Sequence, residues 1–148
     1  MDDTTQGFLS AALRHVRDAE SLADPVSGAA SLDQAYHLAG FGPECVRKAT
    51  LANRGFDKPI GHGVGRASEA ALAIALTIDA QAHRYDLVDW RSRYPALSVW
   101  SEGARYEATG TYEEVRVKPL LKEAREIVDR IAFALWADGR VPEEFEWR

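Results

Sequence analysis

Apolar residues recur along the chain mainly at helical spacing. Phe8, Leu9, Ala12, Leu13, Val16, Ala19 and Leu22 fall at three- and four-residue steps, which line up on one helix face and predict a helix over 5–22. Ala35, Leu38, Ala39, Val46, Ala49 and Ala52 repeat the pattern in a second predicted helix. Ser31 with Gln34 reads as a capping box at its start, and Asn53 with Gly55 as a left-handed cap at its end. Pro43 lies inside it, removes an amide donor and predicts a kink there. A third helix is expected over 67–83, with Ala71, Ile74, Ala75 and Ile78 inward. The last carries Leu120, Leu121, Ala124, Ile127, Val128, Ile131 and Leu135 on its buried face. Thr111 with Glu114 reads as its capping box, Pro119 interrupts its early turns, and Asp138-Gly139 ends it.

The connections read differently. Residues 53–66 hold four glycines and one proline and predict an extended, ordered loop. They lack the Gly-Lys-Ser/Thr ending of a phosphate loop. From 85 to 110 the periodicity fades and Tyr85, Trp90, Tyr94, Trp100 and Tyr106 collect, which predicts short helical pieces packed over the bundle. No stretch alternates as a strand does. The expected architecture is all-α: one domain over 1–148, an up-and-down bundle of four main helices with short extra helical pieces.

With 148 residues, 46% of them hydrophobic and 28% charged, the chain can bury a core without disulfides or metal. Cys45 is its one cysteine, which fits a reducing compartment. The acidic start MDDTTQGFLS does not resemble a secretory signal, and no run is long and apolar enough to cross a bilayer, so a cytoplasmic, non-membrane protein is expected. A net charge of −5 excludes general DNA binding. Arg91, Arg93 and Arg105, close in sequence, leave room for recognition of an RNA or a nucleotide.

The chemistry is narrowed first by what is missing. Four scattered histidines (His15, His37, His62, His83) and one cysteine give no metal-ligand pair, and neither Glu44 nor Glu69 is followed by a histidine at the di-iron spacing. No metal and no cofactor are expected. Cys45 reads as a small buried filler rather than a nucleophile. Glu44 has two readings. One is an ion pair with Lys48 on the helix surface, worth about 0.3–0.5 kcal/mol. The other is a polar pocket shared with His37, about two turns earlier on the same helical face unless the kink at Pro43 turns the two apart. Arg105 and Tyr106 also have two: a phosphate and base platform, or a cover for the bundle end with Arg105 capping a helix or pairing with Glu44 or Asp18. The candidate binding site is therefore His37, Glu44, Lys48, Arg105 and Tyr106. Aromatics at the C-terminus (Trp136, Phe145, Trp147) offer a third possibility, docking on a partner protein.

Three blocks of residues resemble one family. They are Arg14-His15-x-x-Asp18-Ala19-Glu20-x-Leu22, then Ala35-Tyr36-His37-Leu38-Ala39-Gly40 running into Glu44-Cys45-x-x-Lys48-Ala49, and finally Trp100 with Arg105-Tyr106. Together they resemble a branch of the HEPN superfamily, helical bundles of bacteria and archaea. The resemblance implies a homodimeric four- to five-helix bundle. It implies either a metal-independent endoribonuclease, acting as toxin or antiviral effector, or a noncatalytic module found beside a nucleotidyltransferase partner. The catalytic members carry Arg, four to six residues, then His. Here no histidine has an arginine at that spacing; Arg54 and His62, with seven residues between them, come nearest and are the catalytic candidates. The reading that follows is a noncatalytic binding or regulatory module of a nucleotide-linked, toxin–antitoxin or defence-type system. The alternatives are a divergent ribonuclease and a protein-docking module.

Overall fold

The computed structural model describes residues 3–28, 30–51, 85 and 90–147. All regular structure among them is helical. Helix α1 runs Asp3–Ala23, α2 Leu32–Ala39, α3 Phe41–Leu51, α4 Trp90–Arg93, α5 Pro95–Ser98 and α6 Glu114–Ala137. Single 3-10 turns occupy Pro25–Ser27 and Glu102–Tyr106. The helix expected over 67–83, the loop over 53–66 and the cap at Asn53 and Gly55 lie outside the described residues.

The predicted stripes are the core. Leu9, Ala12, Val16 and Ala19 of α1 meet Ala35 and Ala39 of α2, Val46 and Ala49 of α3, and Leu120, Ile127, Ile131 and Leu135 of α6, all fully buried. So many alanines let the helices approach closely. At Gly42 the place a Cβ would take is filled by a Val16 methyl group, with Val128 beside it, so α1, α3 and α6 converge on that glycine.

The second helix is divided. It breaks at Gly40 into α2 and α3, and Pro43 sits in the first turn of α3. The interruption falls where a proline at 43 acts, because its missing N–H leaves the carbonyl of Ala39, four residues back at the end of α2, without its helical donor. The indole of Trp100 fills the space over Gly40 that any side chain would need. Ser31 does cap α2, its Oγ accepting from the Gln34 N–H at 3.4 Å.

The last helix differs at its start. Thr111 does not cap it; its hydroxyl turns back to the Ala108 carbonyl, and α6 begins after Glu113 and passes through Pro119 unbroken. Its end is as the sequence predicts. Gly139, at φ 70°, donates to the Trp136 carbonyl at 3.0 Å, and Arg140 donates to that of Leu135 at 3.0 Å, a Schellman closure. That turn aims Arg140 at the end of α3, where its guanidinium donates to the carbonyls of Thr50 at 3.1 Å and Ala49 at 3.3 Å. A basic side chain there suits both the orphan carbonyls and the negative end of the helix dipole.

The aromatic segment packs over the bundle in short pieces, as expected. Trp90, Tyr94, Leu97 and Trp100 are buried. Glu123 of α6 accepts the N–H groups of Leu97 at 2.8 Å and Ala96 at 3.3 Å, which satisfies the start of α5. No helix among the described residues is long and apolar enough to cross a membrane.

Candidate functional site

Glu44 and Lys48 sit one turn apart on α3, and the spacing joins them: Nζ donates to Oε1 at 2.8 Å. The surface reading of this pair is overturned. The side chains are 3% and 15% exposed, because α1 lies across this face of α3. Cys45 is half-buried beside them. Burial, and then the Glu44 charge, push its thiol up to about 11, so it stays protonated at neutral pH and has no nucleophilic character.

His15 of α1 belongs to this place and was absent from the sequence-derived site. Its ring lies 5.7 Å from that of Phe41 and that of His37 lies 5.0 Å from it, edge-on. Trp100 meets the same Phe41 ring at 5.2 Å. Burial lowers the pKa of His15; Arg14 and His37 push the same way, and Asp18 and Glu44 oppose. His37 is lowered by burial and then by the charge of Arg105. Both imidazoles are therefore neutral at pH 7. The signal for His15 was available: it falls between Ala12 and Ala19 at helical spacing, a polar ring inside the apolar stripe.

Arg105 and Tyr106 end the 3-10 turn Glu102–Tyr106, which packs against α2. Ser101 sets that turn by accepting the Gly103 N–H at 3.1 Å. Trp100, just before it, is fixed by donating its indole N–H to the Tyr36 carbonyl at 3.0 Å. Both Arg105 and Tyr106 face solvent, the ring 78% exposed, and the guanidinium stands 4.7 Å over the ring centroid. Among the described residues no ion pair joins Arg105 to Glu44 or to Asp18. Tyr106 does not pack onto the bundle, whereas Trp100 is buried against α2.

The five predicted residues thus divide into two groups. Glu44 and Lys48 form an inner pair, with His15 nearby. His37, on α2, together with Arg105 and Tyr106 of the turn packed on that helix, forms an outer group, and the Phe41 ring links His37 to His15. Arg54 and His62 lie outside the described residues.

Two further residues steady the outer group. Asp33 of α2 accepts the N–H groups of Gly110 at 2.7 Å and Tyr112 at 3.0 Å, and these bonds lower its pKa. Tyr36 and Tyr112 stack at 3.8 Å, with Arg116 of α6 over both rings. The chain on either side of the Arg105–Tyr106 turn is therefore pinned to α2.

Chemically, a solvent-facing guanidinium that forms no ion pair among the described residues suits a phosphate, and an exposed phenol ring suits a stacked base. Among the described residues no three His, Cys, Asp or Glu side chains are grouped to hold a metal ion. Comparison of the chain with protein-family models, curated proteins and solved structures finds no match.

Proposed function

We propose that this chain is a noncatalytic HEPN-like binding module, a four-helix up-and-down bundle working as a homodimer in the cytoplasm within a nucleotide-linked, toxin–antitoxin or defence-type system. It takes RNA or a nucleotide through Arg105 and Tyr106, with His37 at the inner edge. One observation carries this reading: Arg105 and Tyr106 stand exposed against each other, held by a turn anchored on both sides, where a structural role would have buried them. Stacked bases are worth about 1–3 kcal/mol each by alanine substitution. Anisotropy of a rhodamine-labelled single-stranded oligoribonucleotide tests it. Arg105→Ala and Tyr106→Ala are each expected to weaken binding about tenfold while leaving the unfolding midpoint unchanged. Equal affinity of all three proteins overturns the reading. Intact oligoribonucleotide after prolonged incubation separates a binding module from a ribonuclease.

A second reading rests on a different surface. Leu13, Ala132, Phe133, Trp136 and Trp147 line a groove of about 280 Å³ between α1, α6 and the C-terminal segment, with Asp129 at its edge. Phe133 is 66% exposed and Trp136 47%. This groove favours protein docking, either of a second copy or of a nucleotidyltransferase partner. Light scattering of Trp136→Ser against the wild type tests whether it carries self-association.

A further inference from the structure

His37 is the one member of the outer group that changes charge near neutral pH. Its Nδ1 atom is shielded from solvent and has no hydrogen-bond partner among the described residues, and Phe41 holds the ring edge-on. The charges around it are mostly positive or already engaged. Arg105 reaches it from the turn packed against α2, where Glu102 is the other charged residue. His15, from α1, shares the Phe41 ring and opposes a charge on His37, with Arg14 beside it. On α3, Glu44 is engaged by Lys48. On α6, Arg116 stands over Tyr36 and Tyr112. A proton on His37 is thus opposed chiefly by burial and by the guanidinium of Arg105. An anion bound at Arg105 would remove the second of these and supply an attraction in its place.

We propose that a phosphodiester held by Arg105 and Tyr106 draws a proton from solvent onto the His37 imidazole, so that binding is coupled to proton uptake and strengthens as the pH falls through the histidine range. No covalent bond changes; the imidazole becomes imidazolium and the phosphodiester keeps its single charge. This rests on the site proposed above and assigns its ligand class and its regulation. Linkage sets the scale, since each unit by which the bound anion raises the histidine pKa strengthens binding up to tenfold once the pH is below both values.

The test is the affinity of an oligoribonucleotide with 5′- and 3′-hydroxyl ends, carrying an internal tetramethylrhodamine, at pH about 8 and about 6, either side of the histidine pKa. Such a probe has only diesters, so its phosphates do not titrate there. Wild type is expected to bind roughly three- to tenfold more tightly at the lower pH. His37→Asn is expected to bind equally at the two pH values, whatever its affinity relative to the wild type; His15→Asn is expected to keep the increase. Circular dichroism at both pH values establishes that each variant is folded. Binding that is independent of pH in the wild type, or an increase that survives in His37→Asn, overturns the coupling while leaving the site intact. No binding at either pH removes the site and the coupling together.

Discussion

The indole of Trp100 lies over Gly40 and donates to the Tyr36 carbonyl at 3.0 Å. The break in the helix creates that opportunity. In a continuous helix the Gly40 N–H would bond to Tyr36, but here it turns to Leu38, and the indole N–H takes the carbonyl instead. Packing and hydrogen bonding at the break are thus performed by one side chain.

Gly40→Ala should therefore cost about 1–3 kcal/mol through overpacking against the indole. Trp100→Phe should cost a similar amount, about 1–3 kcal/mol, because it leaves the Tyr36 carbonyl buried without its donor. Urea unfolding of each variant checks both. A Gly40→Ala protein as stable as the wild type would mean that the ring does not occupy that space.

Acid should weaken the fold in two stages. His15 and His37 have lowered pKa values in the folded chain, so the unfolded chain binds protons first. Their contribution is whole above the ordinary histidine value of 6.5 and is lost as the pH falls below it. Asp33, lowered by the Gly110 and Tyr112 amides, adds a second loss below its ordinary 3.8. The urea midpoint should drop between pH about 7.5 and about 5.5, the histidine window, and His15→Gln with His37→Asn together should flatten that first drop.

Asp33→Asn should loosen the stretch that follows the Arg105–Tyr106 turn. The carboxylate accepts two backbone amides at once, and an amide side chain offers one oxygen for both. Hydrogen exchange at Gly110 and Tyr112 should accelerate, with little change in the core of α6. Unchanged protection at both amides would show that the loop is held by other contacts.

The two lysine–glutamate ion pairs at i,i+4 among the described residues should differ sharply. Glu44–Lys48 is buried, whereas Glu114–Lys118 is 65% and 71% exposed. A double-mutant cycle on the exposed pair should give at most about 0.5 kcal/mol. The cycle with Glu44→Gln and Lys48→Met should give more than about 1 kcal/mol, because either single change leaves a polar group shielded from water. Equal coupling in both pairs would mean that the burial of Glu44 carries no energetic consequence.

The parts legible in the sequence are those whose cause is local. The stripes of α1 and α6 follow from periodicity alone, and the Schellman end at Gly139 from a glycine after the last apolar residue. Thr111 failed as a cap because the helix starts at Glu114 with Glu113 in the cap position, two residues beyond it. The break near Gly40 was legible only in part: Pro43 marks it, but Trp100, which fills the space over Gly40, lies 60 positions away. The candidate site was half legible for the same reason. Lys48 and Glu44 meet through helical spacing, but their burial depends on α1. Arg105 and Tyr106 pair as neighbours, yet only the packing of their turn on α2 brings the charge of Arg105 to His37.

The fixed position of Trp100 has one more consequence. Its indole is anchored to α2 and Arg105 follows within a single short turn, so the intervening residues act as a ruler that sets how far the guanidinium stands from His37. Substitutions within 101–104 preserve that distance as long as the turn keeps its shape. Inserting or deleting one residue there would carry Arg105 out of register with His37. Length, more than residue identity, is what this short stretch has to keep.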